Sequence, residues 1–258
     1  MSRYDFTTQR LFLDAPLAEG ERIAIDRDQA NYLVNVLRMN AGAAVLVFNG
    51  RDGEWRAVLE GDRKRAALLV ETRTREQTPP SDLHYLFAPL KQARLDYVVQ
   101  KAVEMGVGRI RPVITRRTQV SRLNEDRLRA NAIEAAEQCG VLSVPSIDPP
   151  RPLAEILASW ASQSPDRRLV FCDEDHVGLD PIAALRDAAP APMAVLIGPE
   201  GGFSPEERAE LGKLPFVLPM ALGPRILRAD TAAVAALALV QAAIGDWIEG
   251  PIGRNTET

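Results

Sequence analysis

The chain has 258 residues, 46% of them hydrophobic and 26% charged, with a formal net charge of −4. This balance is ordinary for a folded globular protein and excludes a disordered or collagen-like chain; the length allows two domains or one large α/β domain. No apolar run approaches the roughly 20 residues of a membrane span.

Met1 to Asp5 lacks the apolar core of a signal peptide. Two cysteines, Cys139 and Cys172, and two histidines, His84 and His176, give neither a disulfide framework nor a zinc spacing. The expectation is a cytoplasmic protein with no membrane partner and no metal. The overall basic balance typical of a nucleic-acid binder is absent. The distribution of charge says more than the sum. From Arg109 to Arg129 seven arginines stand against Glu125 and Asp126. This stretch is either solvated surface or a contact for a polyanion, with Arg116, Arg117 and Arg122 as candidates.

Residues 1–74 read as a small β-rich domain. Arg10 to Leu13 and Glu21 to Ile25 read as short strands. Asp28 is placed to cap a helix from Gln29 to Leu37, with Ala30, Leu33, Val34 and Leu37 on one face. Strands are then expected over Ala43 to Phe48, Trp55 to Leu59 and Ala66 to Glu71. Asn49-Gly50 between alternating apolar residues is a hairpin signal. Short strands at this spacing suggest a small barrel. Residues 75–82, around Thr78-Pro79-Pro80-Ser81, read as a linker.

Over residues 83–250 the pattern alternates strand and helix, which implies a parallel sheet covered by helices on both faces. His84 to Leu90, Ile110 to Ile114 and Arg168 to Cys172 read as strands, the last followed by the acidic loop Asp173-Glu174-Asp175. Lys91 to Met105, Arg127 to Cys139 and Leu153 to Trp160 read as helices, and Asp148 to Pro152 as a turn. Residues 251–258 read as a frayed tail.

Two strand–turn–helix units close the chain. Met193 to Ile197 runs into Gly198-Pro199-Glu200-Gly201-Gly202-Phe203, after which Ser204 and Glu207 form a capping-box pattern with Pro205 at the first helical position. Phe216 to Met220 then runs into Ala221-Leu222-Gly223-Pro224-Arg225-Ile226-Leu227-Arg228, followed by an almost wholly apolar helix. Gly-Pro turns of this kind are common in any parallel α/β sheet. Glycines there let a ligand approach the main chain. A Rossmann-type site would instead carry its glycines after the first strand, near His84 to Leu90, and none stand there.

The order Ile197-Gly198-Pro199-Glu200-Gly201-Gly202 and then Leu222-Gly223-Pro224-Arg225-Ile226-Leu227-Arg228-Ala229-Asp230-Thr231-Ala232 resembles the signature of the SPOUT class of RNA methyltransferases, and within it the RsmE family. The resemblance extends to Val36-Leu37-Arg38-Met39, Gly42 and Asn49-Gly50. It continues through Lys91, Arg94, Gln100-Lys101-Ala102, Glu104 to Val107, Pro112, Glu137 to Gly140 and Val144-Pro145. The chain departs from the family pattern at Thr115-Arg116-Arg117-Thr118 and at Arg228-Ala229-Asp230-Thr231, where the family often has Thr-Glu-Arg-Ser-like and Arg-x-Glu-Thr segments.

The resemblance implies an N-terminal PUA-like β barrel and a C-terminal α/β domain with a trefoil knot. It implies methylation of N3 of a uridine in 16S ribosomal RNA, at position 1498 of the decoding region, with S-adenosyl-L-methionine as methyl donor. The partners are then 16S rRNA or the small ribosomal subunit and a second copy of the chain, since the last helix is apolar over more than one face. It assigns the cofactor to Leu196, Ile197, Gly198, Pro199, Gly201, Gly202, Met220, Leu222, Gly223 and Leu227. Arg10 and Arg38 become candidate phosphate contacts in the barrel, with a surface salt bridge as the alternative for either one.

The chemistry then needs charge stabilisation on the uracil oxygens, for which Arg225 and Arg228 are candidates. It also needs a proton acceptor, for which Glu200 and Asp230 are candidates. Arg228 and Asp230 pairing with each other, or capping the last helix, is the plainer alternative. A SPOUT enzyme of another specificity, such as ribose 2′-O, and a non-catalytic ribosome-associated RNA-binding protein are the rival functions.

Overall fold

The computed structural model describes residues 5, 7–62, 65–120, 122–174, 176 and 180–249. The expected tail 251–258 and Asp175 of the acidic loop lie outside the described residues. The chain forms two compact units, Met1–Pro80 with Ala136–Val144, and Ser81–Ala135 with Pro145–Thr258. The segment 136–144 therefore groups with the N-terminal part instead of with the residues that flank it.

The first unit contains β1 (Arg10–Phe12), β2 (Arg22–Ala24), α1 (Arg27–Asn31), β3 (Ala44–Phe48), β4 (Glu54–Glu60) and β5 (Ala67–Arg75). Its five-stranded sheet runs β1-β3-β4-β5-β2. β1 is parallel to β3 and the other pairings are antiparallel. The β3–β4 turn forms because the Asn49 side-chain oxygen accepts the N–H groups of Arg51 and Asp52, each at 2.9 Å. Leu33, Val45, Val47, Leu59 and Leu68 fill the core. In the segment 136–144, Glu137 Oε1 accepts the Phe12 N–H at 2.8 Å, and Gly140 O accepts from Arg75 Nη1 at 2.9 Å.

Two readings of this unit are corrected. The N-cap of α1 is Asp26, whose side chain accepts the Asp28 and Gln29 N–H groups in a capping box, so the helix starts before Asp28. Beyond Asn31 the chain widens into a π turn over Tyr32–Val36. A π turn adds a residue per turn and breaks the 3.6 spacing, so Val36 and Leu37 turn outward and Arg38 takes the left-handed φ of 55°. Arg10, the candidate phosphate contact, is 4% exposed and ion-paired to Glu54 at 2.9 Å, so it is closed to a phosphate. Its charge is spent inside the sheet, since a buried guanidinium requires a partner.

The second unit contains β6 (His84–Phe87), α2 (Gln92–Glu104), β7 (Arg109–Ile114), α3 (Glu125–Cys139), β8 (Ser146–Ile147), β9 (Arg151–Pro152), α4 (Leu153–Ala158) and α5 (Trp160–Gln163). Then follow β10 (Arg168–Cys172), α6 (Pro181–Asp187), β11 (Met193–Ile197), α7 (Pro205–Leu211), β12 (Val217–Met220) and α8 (Ala229–Ile244). The last turn of α3, from Ala136, counts with the first unit. The sheet runs β12-β10-β11-β6-β7-β8, with β9 also on β7, and all these pairings are parallel.

Strands buried on both faces need near-continuous apolar runs, which β6, β10 and β11 supply. Leu86, Val113, Trp160, Phe171, Leu196 and Phe203 share one core cluster. The two-residue strand β9 stands within the expected turn Asp148 to Pro152, and β8 just before it was not expected. They are too short to carry a period of two. α8 packs on α2, α6 and β11. Among the described residues no helix is long and apolar enough to cross a membrane.

Candidate active site

The strand order sets β10 between β11 and β12. All three are parallel, so the loops that leave them gather at one edge of the sheet, where open α/β sheets take their ligands. The loop after β11 is the first glycine turn. Its Gly202 has φ +66° and its N–H donates to Pro199 O at 2.9 Å. A Cβ at Gly198 would meet the Phe203 ring at 2.6 Å, so that glycine admits a core side chain. A Cβ at Gly202 would come within 2.7 Å of Glu174 Oε1. Gly201 has neither constraint. A Cβ there meets only the stem of Arg117 at 3.7 Å, in ordinary contact. The expected capping box closes α7, since Ser204 and Glu207 each accept the other's backbone N–H.

The loops after β10 and β12 enclose a cavity of about 590 Å³, within the range of about 300–1,000 Å³ usual for small-molecule sites. Leu222, Gly223 and Leu227, three of the residues the resemblance assigns to the cofactor, line it. Gly223 has φ +93°, and a Cβ built there would meet nothing within 4 Å, so the backbone faces open space. Leu196, Ile197 and Met220 are buried in their strands. Gly198, Pro199, Gly201 and Gly202 belong to the adjacent turn and do not line the cavity themselves.

The opposite wall comes from β10 and its loop. Burial pushes the Cys172 thiol up to about 12, so it is protonated at neutral pH and is no nucleophile. Burial also raises the Asp173 carboxyl, opposed by Arg208 at 3.2 Å. Arg208 reaches Glu174 as well, at 2.6 Å, and so ties this wall to α7.

The candidate acids converge through a residue that spacing did not single out. Arg94 on α2 lies 3.5 Å from Glu200 and 4.0 Å from Asp230. The three residues are far apart in sequence, and only the fold brings them together. Asp230 Oδ1 also accepts the Thr231 N–H at 2.9 Å. Arg228 is the N-cap residue of α8, and its carbonyl accepts from Ala232 N at 2.7 Å. Its side chain makes no capping bond and, among the described residues, no ion pair with Asp230. The pairing alternative is therefore absent among the described residues, whereas the capping alternative stands, with Arg228 at the N-cap position and Asp230 accepting an N–H in the first turn. Arg225 and Arg228 are both exposed.

The basic stretch is smaller than its seven arginines suggested. Arg109 and Arg111 share Asp148 at 2.9 and 3.1 Å, with Arg111 buried over Trp160. Arg127 pairs with Asp96 at 2.6 Å. Arg116, Arg117 and Arg122 are exposed. Arg117 Nη1 donates to Gly201 O at 2.8 Å, which sets the basic turn beside the glycine turn. Among the described residues, no group of three or more His, Cys, Asp or Glu could hold a metal ion.

Residues 77–241 match the RNA methyltransferase domain, and residues 25–71 match the RNA methyltransferase PUA domain. Ribosomal RNA small subunit methyltransferase E of Rickettsia conorii is 28% identical over 235 residues, covering 90% of this chain and 94% of its own. The protein of the same name from Bacillus subtilis is 26% identical over 247 residues, covering 90% and 95%. Among solved structures, ribosomal RNA small subunit methyltransferase E of Neisseria gonorrhoeae bound to S-adenosyl methionine matches with TM-score 0.78. It is 26% identical and covers 91% of this chain and 97% of that one. A Legionella pneumophila protein in complex with the cofactor SAM matches with TM-score 0.77 at 30% identity, covering 92% and 98%.

The fold and its glycine turns thus define a SPOUT-type α/β methyltransferase domain preceded by a PUA-like domain. Within that class, the chain belongs to the RNA methyltransferase family, in the group of the ribosomal RNA small subunit methyltransferases E.

Proposed function

We propose that this chain, a cytoplasmic homodimer, transfers a methyl group from S-adenosyl-L-methionine to N3 of a uridine in 16S ribosomal RNA, at position 1498. The observation that carries the reading is the cavity between the β10 loop and the second glycine turn, with exposed Arg225 beside it and Arg228 at the start of α8. The backbone of Leu222, Gly223 and Leu227 holds the cofactor there, and Leu196, Ile197, Met220 and the first glycine turn support it. S-adenosylmethionine, when bound, supplies the electrophilic methyl group.

The uracil N3 carries a proton and becomes nucleophilic only when that proton leaves. Glu200 or Asp230, gathered by Arg94, accepts it directly or through water. Arg228, with Arg225, stabilises the charge that develops on the uracil oxygens. The target base is taken out of its stack to reach these groups. Arg116, Arg117 and Arg122 in the second unit and Arg38 in the first contact phosphates, which fix register and not sequence.

The test is nucleoside analysis of ribosomal RNA from a strain lacking this protein. Loss of 3-methyluridine at one site is the expected result. Loss of a ribose 2′-O-methyl group instead would assign another specificity. An unchanged nucleoside profile, with no cofactor binding by calorimetry, would leave an RNA-binding protein without this activity.

A further inference from the structure

Glu207 stands at the third position of α7 and is 8% exposed. Its two carboxylate oxygens serve different segments. Oε2 accepts the Ser204 N–H at 2.8 Å, and Ser204 Oγ accepts the Glu207 N–H at 3.2 Å, which together close the capping box. A capping box needs nothing more. Oε1 leaves the helix and accepts the backbone N–H of Arg116 at 2.8 Å. The turn that it grips is itself closed, since Thr118 Oγ1 accepts the Thr115 N–H at 2.9 Å. From the same turn Arg117 donates to Gly201 O at 2.8 Å. The basic turn Thr115 to Thr118 is thus fastened to the glycine turn at both of its ends, Gly201 and Ser204. Among the described residues Arg116 also makes an exposed pair with Glu206 at 3.2 Å, and pairs of that kind contribute little.

We propose that Glu207 is a positioning residue for RNA, because its Oε1 holds Arg116 and Arg117 in the register where they take an RNA phosphate beside the glycine turn. The inference rests on the RNA-methylating reading of this site. A carboxylate suits the task because both of its oxygens accept. Glutamine in its place presents one acceptor and one NH₂ donor. Glutamine at the third position still serves a capping box, so its oxygen stays with Ser204 and its NH₂ faces the Arg116 N–H, donor against donor. Glu207→Gln therefore releases the basic turn and leaves the helix cap. Ser204→Ala does the reverse: it removes the cap hydroxyl, and the backbone N–H and both carboxylate contacts remain.

The experiment compares full-length wild type, Glu207→Gln, Ser204→Ala and the double charge reversal Arg116→Glu/Arg117→Glu. It measures KM for small-subunit ribosomal RNA, kcat, S-adenosylmethionine affinity by calorimetry, and the thermal midpoint. Glu207→Gln is expected to raise the RNA KM by about tenfold, the scale of one lost charge-assisted hydrogen bond, and to leave kcat and cofactor affinity unchanged. Ser204→Ala is expected to lower the midpoint and leave the RNA KM in place. If Glu207→Gln behaves like Ser204→Ala, Glu207 is a helix cap and the inference falls. If the double reversal leaves the RNA KM unmoved, the RNA role of this turn falls first and takes the inference with it. Should Glu207→Gln not fold, Thr118→Val loosens the same turn without touching α7. It is expected to raise the RNA KM, and an unchanged KM overturns the proposal.

Discussion

Arg228 and His84 show how the same sheet makes opposite demands on charge at its two ends. At the carboxyl edge Arg228 is exposed, with its backbone engaged in α8. Arg228→Ala is expected to lower kcat on the order of a hundredfold, as loss of one oxyanion donor does, with cofactor affinity retained. An unchanged kcat would confine Arg228 to a structural role. At the other edge, His84 opens β6 with 9% exposure, and its Nδ1 has no hydrogen-bond partner among the described residues. Burial first, and then Arg167, Arg109 and Arg111, push the imidazole down to about 4 from 6.5. The unfolded chain therefore binds the proton more readily than the folded one. Stability is full above about pH 6.5 and falls as pH drops toward about 4. His84→Gln should flatten the dependence of the urea midpoint on pH in that window; a slope equal to wild type would remove His84 as its source.

At the scale of elements, the first glycine turn combines local and distant constraints. A valine at Gly202 would force a side chain into a left-handed conformation and press on Glu174, which Arg208 holds at 2.6 Å in the cavity wall. Gly202→Val is expected to abolish S-adenosylmethionine binding in calorimetry while far-UV circular dichroism stays native. Normal binding would move the cofactor site elsewhere. The local half of this turn was readable from sequence. Ser204, Pro205 and Glu207 are neighbours, and a capping box depends on nothing beyond them. The strand patterns of β10 and β11 were legible for a similar reason, because burial on both faces leaves an unbroken apolar run. What could not be read involves partners distant in sequence or a change of helical period. The second oxygen of Glu207 serves Arg116, Arg94 serves two acids from other elements, and Arg10 meets Glu54 across the sheet. The π turn at Tyr32–Val36 defeats a spacing argument built on 3.6 residues.

At the scale of the whole molecule, the surface of α8 bears on how many chains act together. α8 buries Ala233, Ala236, Leu237 and Val240 against its own unit, and Leu239 on the same helix stays partly uncovered. Trp247 and Ile248 just beyond it are 51% and 61% exposed. A two-fold pair of chains is the commonest way to cover such a surface. Sedimentation at micromolar concentration should therefore give a two-chain species, and a monomer there would remove the homodimer. The grouping of residues 136–144 with the N-terminal unit bears instead on how one chain is made. Domains generally fold in the order they leave the ribosome. Here the first fold stays unfinished after its last strand has been synthesised, because Phe12 waits for a carboxylate at Glu137. The nascent N-terminal unit must hold an open edge while β6, α2 and β7 are translated. A fragment cut at the apparent boundary near Pro80 would keep that edge open for good.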